Sequence, residues 1–205
     1  SVYFIKTTFN PALFSTVHKK KIRIKILKEK GLHKGNVVIP YISYDDYEKI
    51  SKLDAYTYNI DESGNIKTTK VDKASIYKKK RNEGVTEIII AFPEVKVGSV
   101  IEYKYKMERL FSSSMNDWNV QDDIPVRYSE YEVEMPSYLQ FKEKIIAPVK
   151  AVVSEVKGKN EKGSNPARYG NDEPTMKKSY TMQNIISIKE EPFMGSVNDY
   201  RQRVE

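Results

Sequence analysis

Apolar and polar residues alternate strictly along two stretches of the chain. From Val100 to Met107, Ile101, Tyr103, Tyr105 and Met107 take one side, and Glu102, Lys104 and Lys106 take the other, with Glu108 next on that side. Tyr131, Val133 and Met135 are likewise separated from Glu130, Glu132 and Glu134. Successive side chains leave a strand on opposite sides, so a period of two predicts half-buried antiparallel strands. Thr16 to Lys28 carries the same pattern, with Ile22, Ile24 and Ile26 against Lys21, Arg23, Lys25 and Leu27. Its basic face is complementary to the acidic face Glu130, Glu132 and Glu134, and the two strands are expected to lie opposite one another. Thr86 to Phe92 holds Ile88-Ile89-Ile90, apolar on both faces, and reads as a central strand.

Shorter apolar runs fill the rest. Val2 to Phe9 and Asn36 to Ile39 read as strands stopped by Asn10-Pro11 and Pro40. Ser43 with Asp46 resembles a capping box, which predicts a helical turn or two over Ser43 to Ser51. Leu53 to Ile60 and Ile66 to Val71 form a hairpin around Asp61-Glu62-Ser63-Gly64-Asn65, whose Gly and Asn tolerate positive φ. Leu139 to Ile146 and Val149 to Val156 suggest another hairpin, Lys157 to Lys178 a long exposed loop, and Ser179 to Ile188 a returning strand. Tyr200 to Glu205 reads as a strand cut off in mid-run. About a dozen short strands with turn signals between them predict an all-β fold. The expected form is a two-layer antiparallel β-sandwich with at most one or two short helical turns, as a single domain over residues 1–205.

Composition narrows the functional classes. There is no cysteine, so disulfides, thiolate metal sites and a cysteine nucleophile are excluded within these 205 residues. No apolar run approaches the roughly 20 residues of a membrane helix. The net charge of +7 points to nucleic acid, anionic lipid or an acidic polysaccharide, or simply to a lysine-rich surface. Lysine far outnumbers arginine, the residue expected where phosphate is gripped bidentately, which favours the plain surface. Alternation puts Tyr103 and Tyr105 on one face and Lys104 and Lys106 on the other, so they form no mixed stacking platform for bases. Nucleic acid is therefore not an expected partner.

Candidate chemistry is sparse. His18 and His33, the two histidines, lack metal-site spacing and read as surface residues. No G-x-S-x-G elbow is present. Asp45-Asp46, Asp122-Asp123 and Glu190-Glu191 have neither EF-hand spacing nor a shared strand face, and read as solvated turn charges. No catalytic residue, metal ligand or cofactor site is expected. Trp118, the sole tryptophan, sits in a polar stretch; it is either a ligand platform or interface anchor, or a lid folded onto the core. The candidate interface or ligand contacts are Trp118, Asp117, Gln121, Glu190 and Glu191.

Phe92-Pro93-Glu94-Val95-Lys96-Val97-Gly98-Ser99-Val100-Ile101-Glu102-Tyr103 has the look of a family signature. So do Asp117 to Val126, Ser129 to Val133, His18 to Leu27, Ala55 to Asn59 and Lys189 to Met194. Together they resemble domain of unknown function 3857 of Bacteroides-type bacteria, which stands N-terminal to a transglutaminase-like (papain-type cysteine) domain. The resemblance implies a non-catalytic accessory β-sandwich in a secreted, periplasmic or envelope-associated protein, with the downstream domain of the same chain as its partner. It also implies structural roles for Gly98, at a turn that a Cβ would obstruct, for Pro125 and Pro136 at strand ends, and for Trp118 as lid. The missing initiator Met fits a mature product or an excised piece, and the cut-off final strand fits an N-terminal piece of a larger protein. The alternative is a free-standing module for an anionic glycan or peptidoglycan fragment, bound through Trp118 and the lysine surface.

Overall fold

The structure, a computed structural model, describes residues 1–6, 14–110, 117–139, 141–147, 152–158, 175–189 and 191–204. Its strands are β1 (Val2–Lys6), β2 (Phe14–Lys25), β3 (Asn36–Ile42), β4 (Glu48–Ile60), β5 (Ile66–Lys70), β6 (Ile76–Lys80) and β7 (Val85–Ala91). They continue as β8 (Val100–Arg109), β9 (Trp118–Asn119), β10 (Val126–Pro136), β11 (Ile145–Ile146), β12 (Val152–Gly158), β13 (Thr175–Ile185) and β14 (Arg203–Val204). Among the described residues, helix is confined to α1 (Val197–Tyr200) and 3-10 segments at Glu29–Gly35, Tyr44–Asp46 and Lys73–Ser75. The protein is predominantly all-β, as the alternation predicts. Contacts divide it into two units: Ser1–Thr16 with Phe111–Glu205, and Val17–Leu110.

The Val17–Leu110 unit is a two-layer sandwich. One layer has the strand order β2-β8-β4-β5 and the other β3-β7-β6. Between them lie Val37, Ile39, Tyr41, Ile88 and Ile90 from one layer and Ala55, Ile101, Tyr105 and Met107 from the other. Ile90 and Ile101 are fully buried, and each contributes about 1.5–3 kcal/mol by leaving water. The central place of β7 agrees with its apolar run: Ile88 and Ile90 face the core, while Ile89 lies on the outer face between Val38 and Tyr77.

Several boundaries differ from the sequence reading, each for a local reason. Pro40 does not end its strand but sits inside β3, an edge strand, where a missing N–H need cost no ladder bond. Ser43 caps no helix, because its hydroxyl bonds Thr86 Oγ1 at 2.7 Å. The 3-10 segment after it lasts three residues, and Glu48 already begins β4. A bulge between Ser51 and Asp54, with Lys52 at φ +51°, interrupts the β4–β8 register there. The Asp61 turn forms as expected, its Oδ1 accepting from the Ser63 and Asn65 amides.

The other unit carries the order β12-β13-β10-β1 and a small sheet β11-β14-β9. It is not wholly antiparallel, since β1 runs parallel to β10, with Val2 opposite Val133. Phe4, Val133 and Met135 form one core, with Phe14 and Phe141 packed on Phe4. Val120, Tyr180, Met182, Ile185 and Val204 form a second. Among the described residues the strands expected to form a hairpin between 139 and 156 pair elsewhere: β11 with β14, and β12 with β13. Most of the expected 157–178 loop falls outside the described residues. The strand expected from Tyr200 onward is shorter: Tyr200 ends α1, and only Arg203–Val204 pair as β14. The expected facing of β2 and β10 is also replaced. Lys177 of β13 meets Glu132 at 2.7 Å, and Lys21 and Arg23 of β2 meet Glu102 of β8.

Candidate functional site

Trp118 lies in β9, opposite Val204 of β14. Its ring stacks on Tyr131 with centroids 5.7 Å apart and planes 15° apart, and Tyr180 lies 6.4 Å away. Tyr131 and Tyr180 are themselves cross-strand partners in β10 and β13. Offset stacked pairs of this kind contribute about 0.5–1.5 kcal/mol beyond the area they bury. The half-buried Trp118 thus closes the second core, which is the lid geometry.

Gln121 is also built into the fold. Its Nε2 donates to Ile186 O at 3.0 Å and its Oε1 accepts from the Gln202 amide at 3.3 Å, while the Val120 amide donates to Gln202 O. Both ends of this buried side chain replace ladder bonds between segments that form no continuous strand. Asp117 and Glu191 are exposed, and Glu190 lies outside the described residues. The structure therefore brings Trp118, Asp117 and Gln121 into one region of one unit, with Trp118 and Gln121 spent on packing.

The aromatic cluster has a polar margin. Tyr180 donates to Glu143, and Lys178 Nζ donates to the same carboxylate at 2.7 Å while lying over the Tyr180 ring. Burial alone would raise the Glu143 pKa, but the bonds from Lys178 and Tyr180 outweigh it and hold the carboxyl below its ordinary range. Burial, with the nearby Asp117 charge, pushes the Tyr131 phenol up to about 12. These are acceptors and donors fixed in a fold, with no nucleophile among them.

The most deeply buried ion pair among the described residues lies in the other unit, and the sequence reading missed it. Glu48 and Arg109 are directly opposed across β4 and β8. Arg109 Nε and Nη2 both donate to Glu48 Oε1, and the Ile42 amide donates to Oε2 at 2.7 Å. Tyr47 stacks beneath the guanidinium at 5.9 Å. His18, expected at the surface, is instead buried at 3% exposure. Burial, followed by the charges of Arg109 and Lys20, lowers its pKa to about 4, so it is neutral at physiological pH. Strand parity carried the signal. Arg109 continues the buried face of Ile101, Tyr103, Tyr105 and Met107, and His18 lies on the face of Ile22 and Ile24. His33 is exposed, as expected, with its Nδ1 2.7 Å from Lys30 O. Among the described residues no group of His, Asp or Glu is arranged to hold a metal ion.

The residues of the first signature stretch also have structural work. Ser99 Oγ donates to Asn59 Oδ1 at 2.5 Å and accepts from the Lys96 amide, and Asn59 Nδ2 donates to Glu94 O at 3.0 Å. Two separated stretches of the resemblance, 55–59 and 92–103, are thus joined by one buried hydrogen-bond chain. Gly98 serves this turn through its backbone, at φ +95° with its amide on Ile26 O. A Cβ there would meet nothing within 4 Å, so conformation, not crowding, selects glycine.

The family model of the Domain of Unknown Function DUF3857 matches residues 14–164. The chain belongs to this family. Among solved structures, DUF3857 here resembles one reported as "a putative protease from Parabacteroides distasonis ATCC 8503", with a TM-score of 0.70 at 13% identity. The match covers 93% of this chain and 36% of that one, so the present chain spans about a third of the protein it resembles. At this identity the likeness is one of fold. No curated protein matches the chain at a significant level.

Proposed function

We propose that this DUF3857 chain is a non-catalytic accessory domain that packs against, positions or selects substrate for a protease-like domain of the same polypeptide. The observation that carries the reading is the coverage: nearly all of this chain matches about a third of the Parabacteroides protein, which is described as a protease. The family resemblance implies a transglutaminase-like cysteine domain as the partner, and an extracytoplasmic location. The chemistry of the chain supports a non-catalytic part. It has no cysteine, one histidine is buried and neutral, and the other rests against a main-chain carbonyl. A glycan-binding module is less favoured, since Trp118 lies on Tyr131 and cannot offer that face to a sugar.

The test is to read the native gene past the codon for Glu205 and to assay the product with and without residues 1–205. A downstream frame with Cys, His and Asp in that order, and turnover whose substrate preference changes when residues 1–205 are removed, is the expected result. A stop codon at that point, or hydrolysis by residues 1–205 alone, overturns the reading.

A further inference from the structure

The segment Glu191-Pro192-Phe193-Met194 forms a tight turn in which the Met194 amide donates to Glu191 O at 3.1 Å. Pro192 takes the position where its fixed φ suits the turn, and Phe193 the next one, at φ +68°. That second position of a type II turn belongs to glycine or asparagine, because a Cβ there is strained. Here it holds a phenylalanine whose relative exposure is 107%, the highest among the exposed large apolar residues described. A bulky aromatic is therefore held in an unfavourable backbone state while burying nothing within the chain. Folding of this chain alone gives no reason for either feature.

We infer that Phe193 is a docking anchor, presented by its turn to an apolar pocket on the protease-like part of the same polypeptide. The exposed Glu191 beside it asks for a basic rim on that pocket. A rigid aromatic on a preformed turn loses little freedom on docking, and such residues dominate contact energies. The inference rests on the accessory reading above and adds the point of attachment.

The experiment compares Phe193→Gly and Phe193→Ala in residues 1–205 and in the full native gene product, by thermal unfolding. In residues 1–205, Phe193→Gly relieves the positive φ and loses no contact. Its Tm is expected to rise by about 1–4 °C, the gain being partly offset by a more flexible unfolded chain. Phe193→Ala is expected to leave that Tm unchanged. In the full product both variants lower the Tm of this domain and speed proteolytic separation of the two parts. If Phe193→Gly raises the Tm equally in both proteins, Phe193 is no anchor, while the accessory reading stands. If the gene encodes no protease-like continuation, that reading fails and the anchor fails with it.

Discussion

Glu48 and Arg109 face each other across β4 and β8, and the Glu48 carboxylate also takes the Ile42 amide from β3 in the opposite layer. One buried carboxylate thus ties a cross-strand pair to the second sheet of the sandwich. Its side chain is 4% exposed and that of Arg109 12%, so the pair is desolvated and held by geometry, not by surface attraction.

Breaking this pair from one side leaves a buried charge. Arg109→Met or Glu48→Gln is expected to destabilise the protein by about 3–5 kcal/mol. The double variant Glu48→Leu with Arg109→Met is expected to recover much of that loss, because no uncompensated charge remains. Urea unfolding of all three variants checks both directions.

His18 makes stability depend on pH. Its folded pKa of about 4 lies below the ordinary 6.5, so the unfolded chain binds the proton more readily. Stability contributed by the neutral ring is complete above pH 6.5 and is lost as pH falls toward 4. The loss over that window is about 3 kcal/mol. His18→Leu is expected to flatten the slope of stability against pH there, whatever it does to the absolute value. An unchanged slope in urea titrations between pH 4 and 7 would remove His18 as the cause.

Trp118 is expected to act as a lid. Trp118→Ala should cost about 3 kcal/mol, the lower end for a large aromatic truncation because the ring is only half-buried. Trp118→Phe, which keeps a ring on Tyr131, should cost much less. Denaturation midpoints of the parent and both variants, followed by far-UV circular dichroism, test this. Equal midpoints for all three would return Trp118 to the role of a ligand platform.

Gly98 separates conformation from crowding. Gly98→Ala is expected to cost about 1–2 kcal/mol through its φ of +95°, and Gly98→Asn distinctly less. If crowding were the cause, Asn would be the worse of the two.

The sheets were legible where alternation was long. Residues 100–107 and 128–135 revealed their buried faces because half-buried strands must alternate, and Ile88-Ile89-Ile90 announced a central strand. What the chain hid was charge within those same faces. Arg109 and His18 look like surface residues until parity is extended past the last apolar position, and Glu48 becomes buried only because Arg109 lies opposite. Pairing was hidden too, since complementary charge on β2 and β10 was satisfied by nearer partners, Glu102 and Lys177. Trp118 and Gln121 stood out as candidates because rare or polar residues in a loop look functional. Only packing shows that Trp118 lies on Tyr131 and Tyr180, and that Gln121 bonds the distant main chain at Ile186 and Gln202.

The layer β3-β7-β6 ends on one side in a strand that holds Pro40 and on the other in Ile76–Lys80, with three consecutive lysines. An open sheet edge is a template on which another molecule can polymerise. A proline removes one rung from that template, and a lysine row repels an identical copy brought alongside. Three of the lysines behind the +7 net charge thus have a place in the fold as a guard against self-assembly.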